Sequence, residues 1–149
     1  VTQNRSLLTS EERAVLGRFV QVAQAVQRMV DHDLSQESDL SLSEYVALWR
    51  LSQAVDGRLR LAELASSLRV TPGRISRVVA KLEKRGFVVR EPDDDDHRGW
   101  NAVLLGVGRT CLTQSEHAYV ASARRNFFDH LNDQQLRFLS SLLASITAN

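Results

Sequence analysis

The run Leu61-Ala62-Glu63-Leu64-Ala65-Ser66-Ser67-Leu68-Arg69-Val70-Thr71-Pro72-Gly73-Arg74-Ile75-Ser76-Arg77-Val78-Val79-Ala80-Lys81-Leu82-Glu83-Lys84-Arg85-Gly86 decides the architecture of this chain. Leu61, Leu64, Ala65 and Leu68 recur at helical spacing, which predicts a short helix over 61–68. Only Arg69-Val70-Thr71 separate it from a second start signal. Thr71 offers an N-cap hydroxyl, and Pro72 sits where a missing N–H costs nothing. A second helix begins there and runs to about Arg85, with Gly86 as its left-handed terminator. Two short helices joined by a tight turn make a helix-turn-helix unit.

On the C-terminal side, the β-prone runs Phe87 to Arg90 and Asn101 to Leu105 flank the polar stretch Glu91 to Gly99, which predicts a hairpin with a charged tip. A long helix follows from about Gly108 to His130. Another runs from Asp133 to about Ile146, capped by Asn132 with Gln135 three residues on, and striped by Leu136, Leu139, Leu142, Leu143 and Ile146. On the N-terminal side, the capping box Ser41 to Glu44 opens a helix closed by Asp56-Gly57. Its apolar residues Val46, Leu48, Trp49, Leu51 and Val55 fall on more than one face, so it is expected to be central. Before it, the box Thr9 to Glu12 opens a helix striped by Val15, Leu16, Phe19, Val22, Val26, Met29 and Val30, ending in the polar stretch Asp31 to Asp39. Arg58-Leu59-Arg60 has room for a very short strand. The expected fold is mainly α with a small β-hairpin, in one chain-length unit.

The whole chain has 149 residues, 43% hydrophobic and 25% charged, as in an ordinary globular domain. No apolar run approaches the roughly 18 residues of a membrane helix, and no secretory signal is legible, so a soluble cytoplasmic protein is expected. Cys111 is the only cysteine, which excludes an intrachain disulfide, and the four histidines make no zinc spacing. His97 lies in an aspartate run, but adjacent hairpin residues rarely converge on one ion, so neither metal nor cofactor is expected. There is no nucleophile elbow, phosphate-cradling glycine loop or HExxH, which argues against an enzyme.

The net charge of +1 conceals segregation. From Arg58 to Arg90, nine basic residues face only Glu63 and Glu83, a local charge of +7, and Glu91 to Asp96 then carry −5. In the second helix of the pair, Arg74, Arg77, Lys81 and Lys84 follow i, i+3, i+7, i+10, opposite Ile75, Val78, Val79 and Leu82. A helix anchored on one face and basic on the other suits DNA. Arginine is the commonest bidentate reader of guanine, and lysine mostly adds phosphate affinity. Arg74 and Arg77 are therefore assigned to bases, with Lys81, Lys84 and Arg85 on the backbone and Thr71, Gly73 and Ser76 permitting close approach.

These residues, with Leu82-Glu83-Lys84-Arg85-Gly86-Phe87-Val88 and Asp96-His97-Arg98-Gly99, resemble the MarR family of winged helix-turn-helix transcription regulators. The resemblance implies a homodimer whose terminal helices, about 9–30 and 108–149, interlock above two winged lobes, about 42–106. It implies a dimeric DNA-binding regulator, a repressor, on a pseudo-palindromic operator in double-stranded DNA. Asp96-x-Arg98 matches the wing signature, which places Arg98 at the minor groove. Asp96 is expected to orient Arg98, and the other wing carboxylates to fan out to solvent.

Two departures carry expectations of their own. Leu104-Leu105-Gly106-Val107-Gly108 lacks the usual capping threonine, so the long helix is expected to start late or fray. Arg69 stands where the family turn holds Gly or Asn. A left-handed arginine costs about 1 kcal/mol, so a modified turn is expected.

Family members often release DNA when a small aromatic or phenolic effector binds between the dimerisation helices and the winged lobe, changing the spacing of the lobes. His32, Tyr45, Trp49 and Arg50 are the candidate lining, against core packing for Tyr45 and Trp49. Two alternatives stand beside this reading. One is thiol-oxidation sensing through Cys111, weighed against burial as a small hydrophobe. The other is a winged-helix protein-interaction module that does not bind DNA.

Overall fold

The structure, a computed structural model, describes residues 7–93 and 99–147. Its elements are α1 (Ser10–Glu37), α2 (Leu42–Ser52), β1 (Arg58–Arg60), α3 (Leu61–Ser67), α4 (Pro72–Lys84), β2 (Val88–Pro92), β3 (Trp100–Leu104), α5 (Gly106–Asn126) and α6 (Asp133–Thr147). The strands form an antiparallel sheet ordered β1-β3-β2, with Leu59 opposite Ala102 and Val89 opposite Val103. Both N-terminal capping boxes form as the sequence predicts, and Asn132 and Gln135 exchange the same pair of bonds at the start of α6.

The core lies in the lobe between α1 and α5. Leu34, Leu40, Leu48, Leu51, Leu64, Val79 and Leu82 are fully buried, each leucine contributing about 2 kcal/mol of burial. Tyr45 stacks on Tyr119 at 4.4 Å between ring centroids, which ties α2 to α5.

Three expectations need correction. The first helix outruns the expected segment of about 9–30: α1 continues to Glu37, inside the polar stretch Asp31 to Asp39 where it was expected to end. Leu34 is fully buried there, and the Asp33 carboxylate accepts from Ser122 Oγ at 2.6 Å, Arg125 Nη2 at 2.7 Å and Asn126 Nδ2 at 3.0 Å. Contacts to α5 thus sustain a helix whose local sequence is polar.

The long helix starts early rather than late. No side chain caps it: the Leu105 N–H donates to Phe87 O, which fixes the residue before the first turn, and Leu105 O accepts the first helical bond from Arg109 N. Gly108 makes this possible, because a Cβ there would lie 2.2 Å from Phe87 O. At its other end α5 stops at Asn126, and a separate 3₁₀ turn covers Phe128–His130.

The helix-turn-helix turn is not modified by its arginine. Arg69 takes φ 52°, with its N–H on Ser66 O and the Val70 N–H on Ala65 O. The same paired bonds close α4 around Gly86, φ 72°, with Gly86 N on Glu83 O and Phe87 N on Leu82 O. The two helices end in the same motif, one through glycine and one through a strained arginine.

Candidate nucleic-acid interface

Helix α4 begins as its sequence dictates. Thr71 Oγ1 accepts from Arg74 N at 3.3 Å, and Pro72 fills the first turn. Ile75, Val79 and Leu82 are buried, while Thr71, Gly73, Arg74, Arg77, Lys81 and Lys84 are exposed and Ser76 is half-buried. A Cβ at Gly73 would meet nothing within 4 Å, so the first turn leaves open space for an approaching surface.

Several of the basic residues counted in the sequence are engaged within the lobe. Arg90 Nε donates to Glu83 Oε2 at 2.7 Å, and the Arg90 N–H donates to Glu83 Oε1 at 3.0 Å. Arg58 pairs with Glu91 at 2.7 Å, and Arg60 Nη2 donates to Asp93 Oδ1 at 2.8 Å. Arg85, assigned to the DNA backbone, donates to Asp39 O at 2.7 Å and lies over the Phe87 ring. Arg77, Lys81 and Lys84 have no acidic partner among the described residues.

The same pairs correct the reading of the wing. Glu91 and Asp93 do not fan out to solvent. They reach across β3 to the two arginines of β1, and Asp93 is 5% exposed. At the base of the wing Asp93 N donates to Gly99 O at 3.0 Å. Asp96, His97 and Arg98 lie outside the described residues.

The arrangement is a basic helix face carried by a helix-turn-helix and braced by a wing. A family model described as MarR family matches residues 40–99. A MarR family transcriptional regulator from Streptomyces coelicolor, in complex with DNA, superposes with a TM-score of 0.86 at 31% identity, covering 94% of this chain and 91% of that one. The chain belongs to the MarR family of transcription regulators.

A second Streptomyces coelicolor member of the MarR family superposes at 28% identity with a TM-score of 0.84, over 95% of both chains. An HTH-type transcriptional repressor from Mycobacterium bovis is 34% identical over 107 residues, 72% of this chain and 75% of that protein. Matches to several Bacillus HTH-type regulators, at 30% identity, span 55% of those proteins' length. MarR family members are transcription regulators and not enzymes.

In this MarR family chain, an open cleft of about 590 Å³ separates α1 and α2 from the helix-turn-helix. Leu42, Val46, Ile75 and Val78 form its apolar floor. Arg28 of α1, Arg69 of the turn and Arg74 of α4 border it. Arg74 Nη2 reaches across to donate to Ser43 Oγ at 3.3 Å. Asp31 also borders the cleft, but its Oδ1 already accepts from Leu42 N at 2.7 Å.

None of His32, Tyr45, Trp49 and Arg50 borders this cleft. Tyr45 is 4% exposed against Tyr119, and burial pushes its hydroxyl pKa up to about 12. Trp49 and His32 are exposed, and Arg50 is half-buried. Helix α2 turns Leu42, Ser43 and Val46 to the cleft and Tyr45 to α5. Cys111 is half-buried on α5, and burial pushes its thiol pKa up, which disfavours the reactive thiolate at neutral pH.

Proposed function

We propose that this protein is a dimeric, sequence-specific DNA-binding repressor that occludes a promoter in the cytoplasm and is released by a small-molecule effector. The carrying observation is the division of α4 into a buried apolar face and an exposed face whose Arg77, Lys81 and Lys84 have no acidic partner among the described residues. A helix entering the major groove needs both faces. In this reading Arg74 and Arg77 contact bases, Lys81 and Lys84 meet phosphates, and Thr71, Gly73 and Ser76 allow the helix end to come close. Arg98, oriented by Asp96, enters the minor groove. A wing serving only protein contact would have no use for the cationic face.

The dimer is supported by apolar surface left uncovered in one chain. Val15, Leu16, Phe19 and Val22 of α1 are 49–62% exposed, and no residue of α6 is buried. Segments 9–30 and 108–149 would join two copies, leaving two 42–106 lobes to engage a pseudo-palindromic operator with half-sites about one helical turn apart. The effector, an aromatic or phenolic anion, is assigned to the cleft bordered by Arg28, Arg69 and Arg74.

Titration of the DNA upstream of the protein's own gene, at several salt concentrations, tests this reading. Affinity should fall steeply with salt, and Arg77→Ala should cost about 1–3 kcal/mol. Weak salt dependence, or unchanged affinity in Arg77→Ala, would overturn it.

A further inference from the structure

The cleft and the DNA-facing surface are not separate, because one side chain belongs to both. Arg74 lies in the exposed first turn of α4, yet its guanidinium borders the cleft and bonds Ser43 of α2 at 3.3 Å. A single guanidinium cannot hold an anion in the cleft and a base or phosphate in the groove at once, since both need the same planar donors.

The charge of the cleft says what kind of ligand would draw Arg74 inward. Three arginines border it, and the one acidic residue on its border, Asp31, has its carboxylate turned to the backbone of α2. The side chains of Arg28 and Arg69 have no hydrogen bond or ion pair among the described residues. Arg69 also holds a left-handed conformation, φ 52°, that glycine would adopt without strain. A strained cation thus borders an apolar-floored cleft. A body of aromatic size carrying one carboxylate matches both features.

Resting on the proposed repressor reading, we infer that an organic carboxylate in this cleft competes with operator DNA for Arg74, so that release is by withdrawal of a shared contact. Release through altered lobe spacing alone predicts something different: a ternary complex of reduced affinity, and an effector response that survives loss of Arg74.

Fluorescence anisotropy of the labelled upstream DNA with the full chain separates these, using naphthoate as the probe and neutral naphthamide as the control. The apparent Kd should rise in proportion to naphthoate with no plateau, and naphthamide should change it little. Arg28→Gln should require about tenfold more naphthoate for the same displacement, the loss expected for one charge-assisted bond. Arg74→Gln should bind DNA more weakly without naphthoate and lose most of the fold-response to it. Arg69→Gly should unfold at higher temperature yet need more naphthoate, opposite signs that a purely structural role would not produce.

A plateau with DNA still bound overturns the inference, as does a full naphthoate response in Arg74→Gln or the absence of any response in the native protein. If the native protein fails to bind the DNA even without naphthoate, the repressor reading falls and takes this one with it. Normal DNA binding without a naphthoate response removes this inference alone.

Discussion

Glu83 of α4 and Arg90 of β2 clasp each other twice, through Arg90 Nε on Oε2 at 2.7 Å and the Arg90 N–H on Oε1 at 3.0 Å. Helix α4 and the root of the wing are thereby tied together across the turn at Gly86. Arg90 holds the Glu83 carboxyl below its usual pKa range through these bonds.

Glu83→Ala should therefore loosen the wing while leaving α4 intact. We expect weaker DNA binding than in the native protein, by less than in Arg77→Ala, with an unchanged helical circular-dichroism spectrum. Equal affinity in native protein and variant would mean that the wing needs no such brace.

Asp33 is the corresponding joint between α1 and α5. Its pKa is lowered, first by the Ser122 hydroxyl and then by Arg125. A carboxylate with a depressed folded pKa stabilises the native state fully above its ordinary value of about 3.9, and the contribution disappears as acid protonates the folded form. Asp33→Asn should lower Tm by a few degrees at neutral pH, and the difference should shrink to nothing as the pH falls below that value. A gap in Tm that stays constant down to strong acid would refute the linkage.

Two glycines should respond oppositely to alanine. Gly108 has backbone 2.2 Å from where a Cβ would sit, so Gly108→Ala should cost about 1–3 kcal/mol in a urea melt. Gly73 faces open space, so Gly73→Ala should leave stability unchanged or raise it by up to about 1 kcal/mol. If α4 docks as proposed, the Gly73 variant should nevertheless lose DNA affinity. Its methyl group would occupy the surface that approaches the duplex.

The uncovered apolar faces of α1 and α6 predict self-association. Light scattering at micromolar concentration should give twice the 16.7 kDa chain mass. Phe19→Asp and Leu142→Asp each place a charge on one of these faces, where burial in a dimer would strip its water. Both should shift the protein toward monomer, with the loss of tight operator binding following from the loss of the second half-site.

Local signals were legible because they act within a turn or two of chain. Thr9 with Glu12, Ser41 with Glu44 and Asn132 with Gln135 are each three residues apart, and each pair closes its cap as expected. Thr71, Pro72 and Gly86 likewise set both ends of α4, and helical periodicity separated its buried face from its exposed one. Those features determined the helix-turn-helix, its hairpin and the family resemblance.

Tertiary structure decided whatever depends on residues far apart in the chain. Asp33 meets Ser122 across 89 positions and so carries α1 past Val30, where its local sequence is polar. Arg60 meets Asp93 only because β3 brings β1 and β2 into one sheet, and that pairing takes both an arginine and an acid out of the surface charge count. The cleft likewise exists only where α1, α2 and α4 converge, which places Arg28, Arg69 and Arg74 around one space. The sequence by itself determined that this chain carries a basic recognition helix on a winged lobe. Which cations on that helix lack an acidic partner among the described residues, and that Arg74 borders a second space, was decided by packing, because a charge is neutralised or shared by its neighbours in space, not by those along the chain.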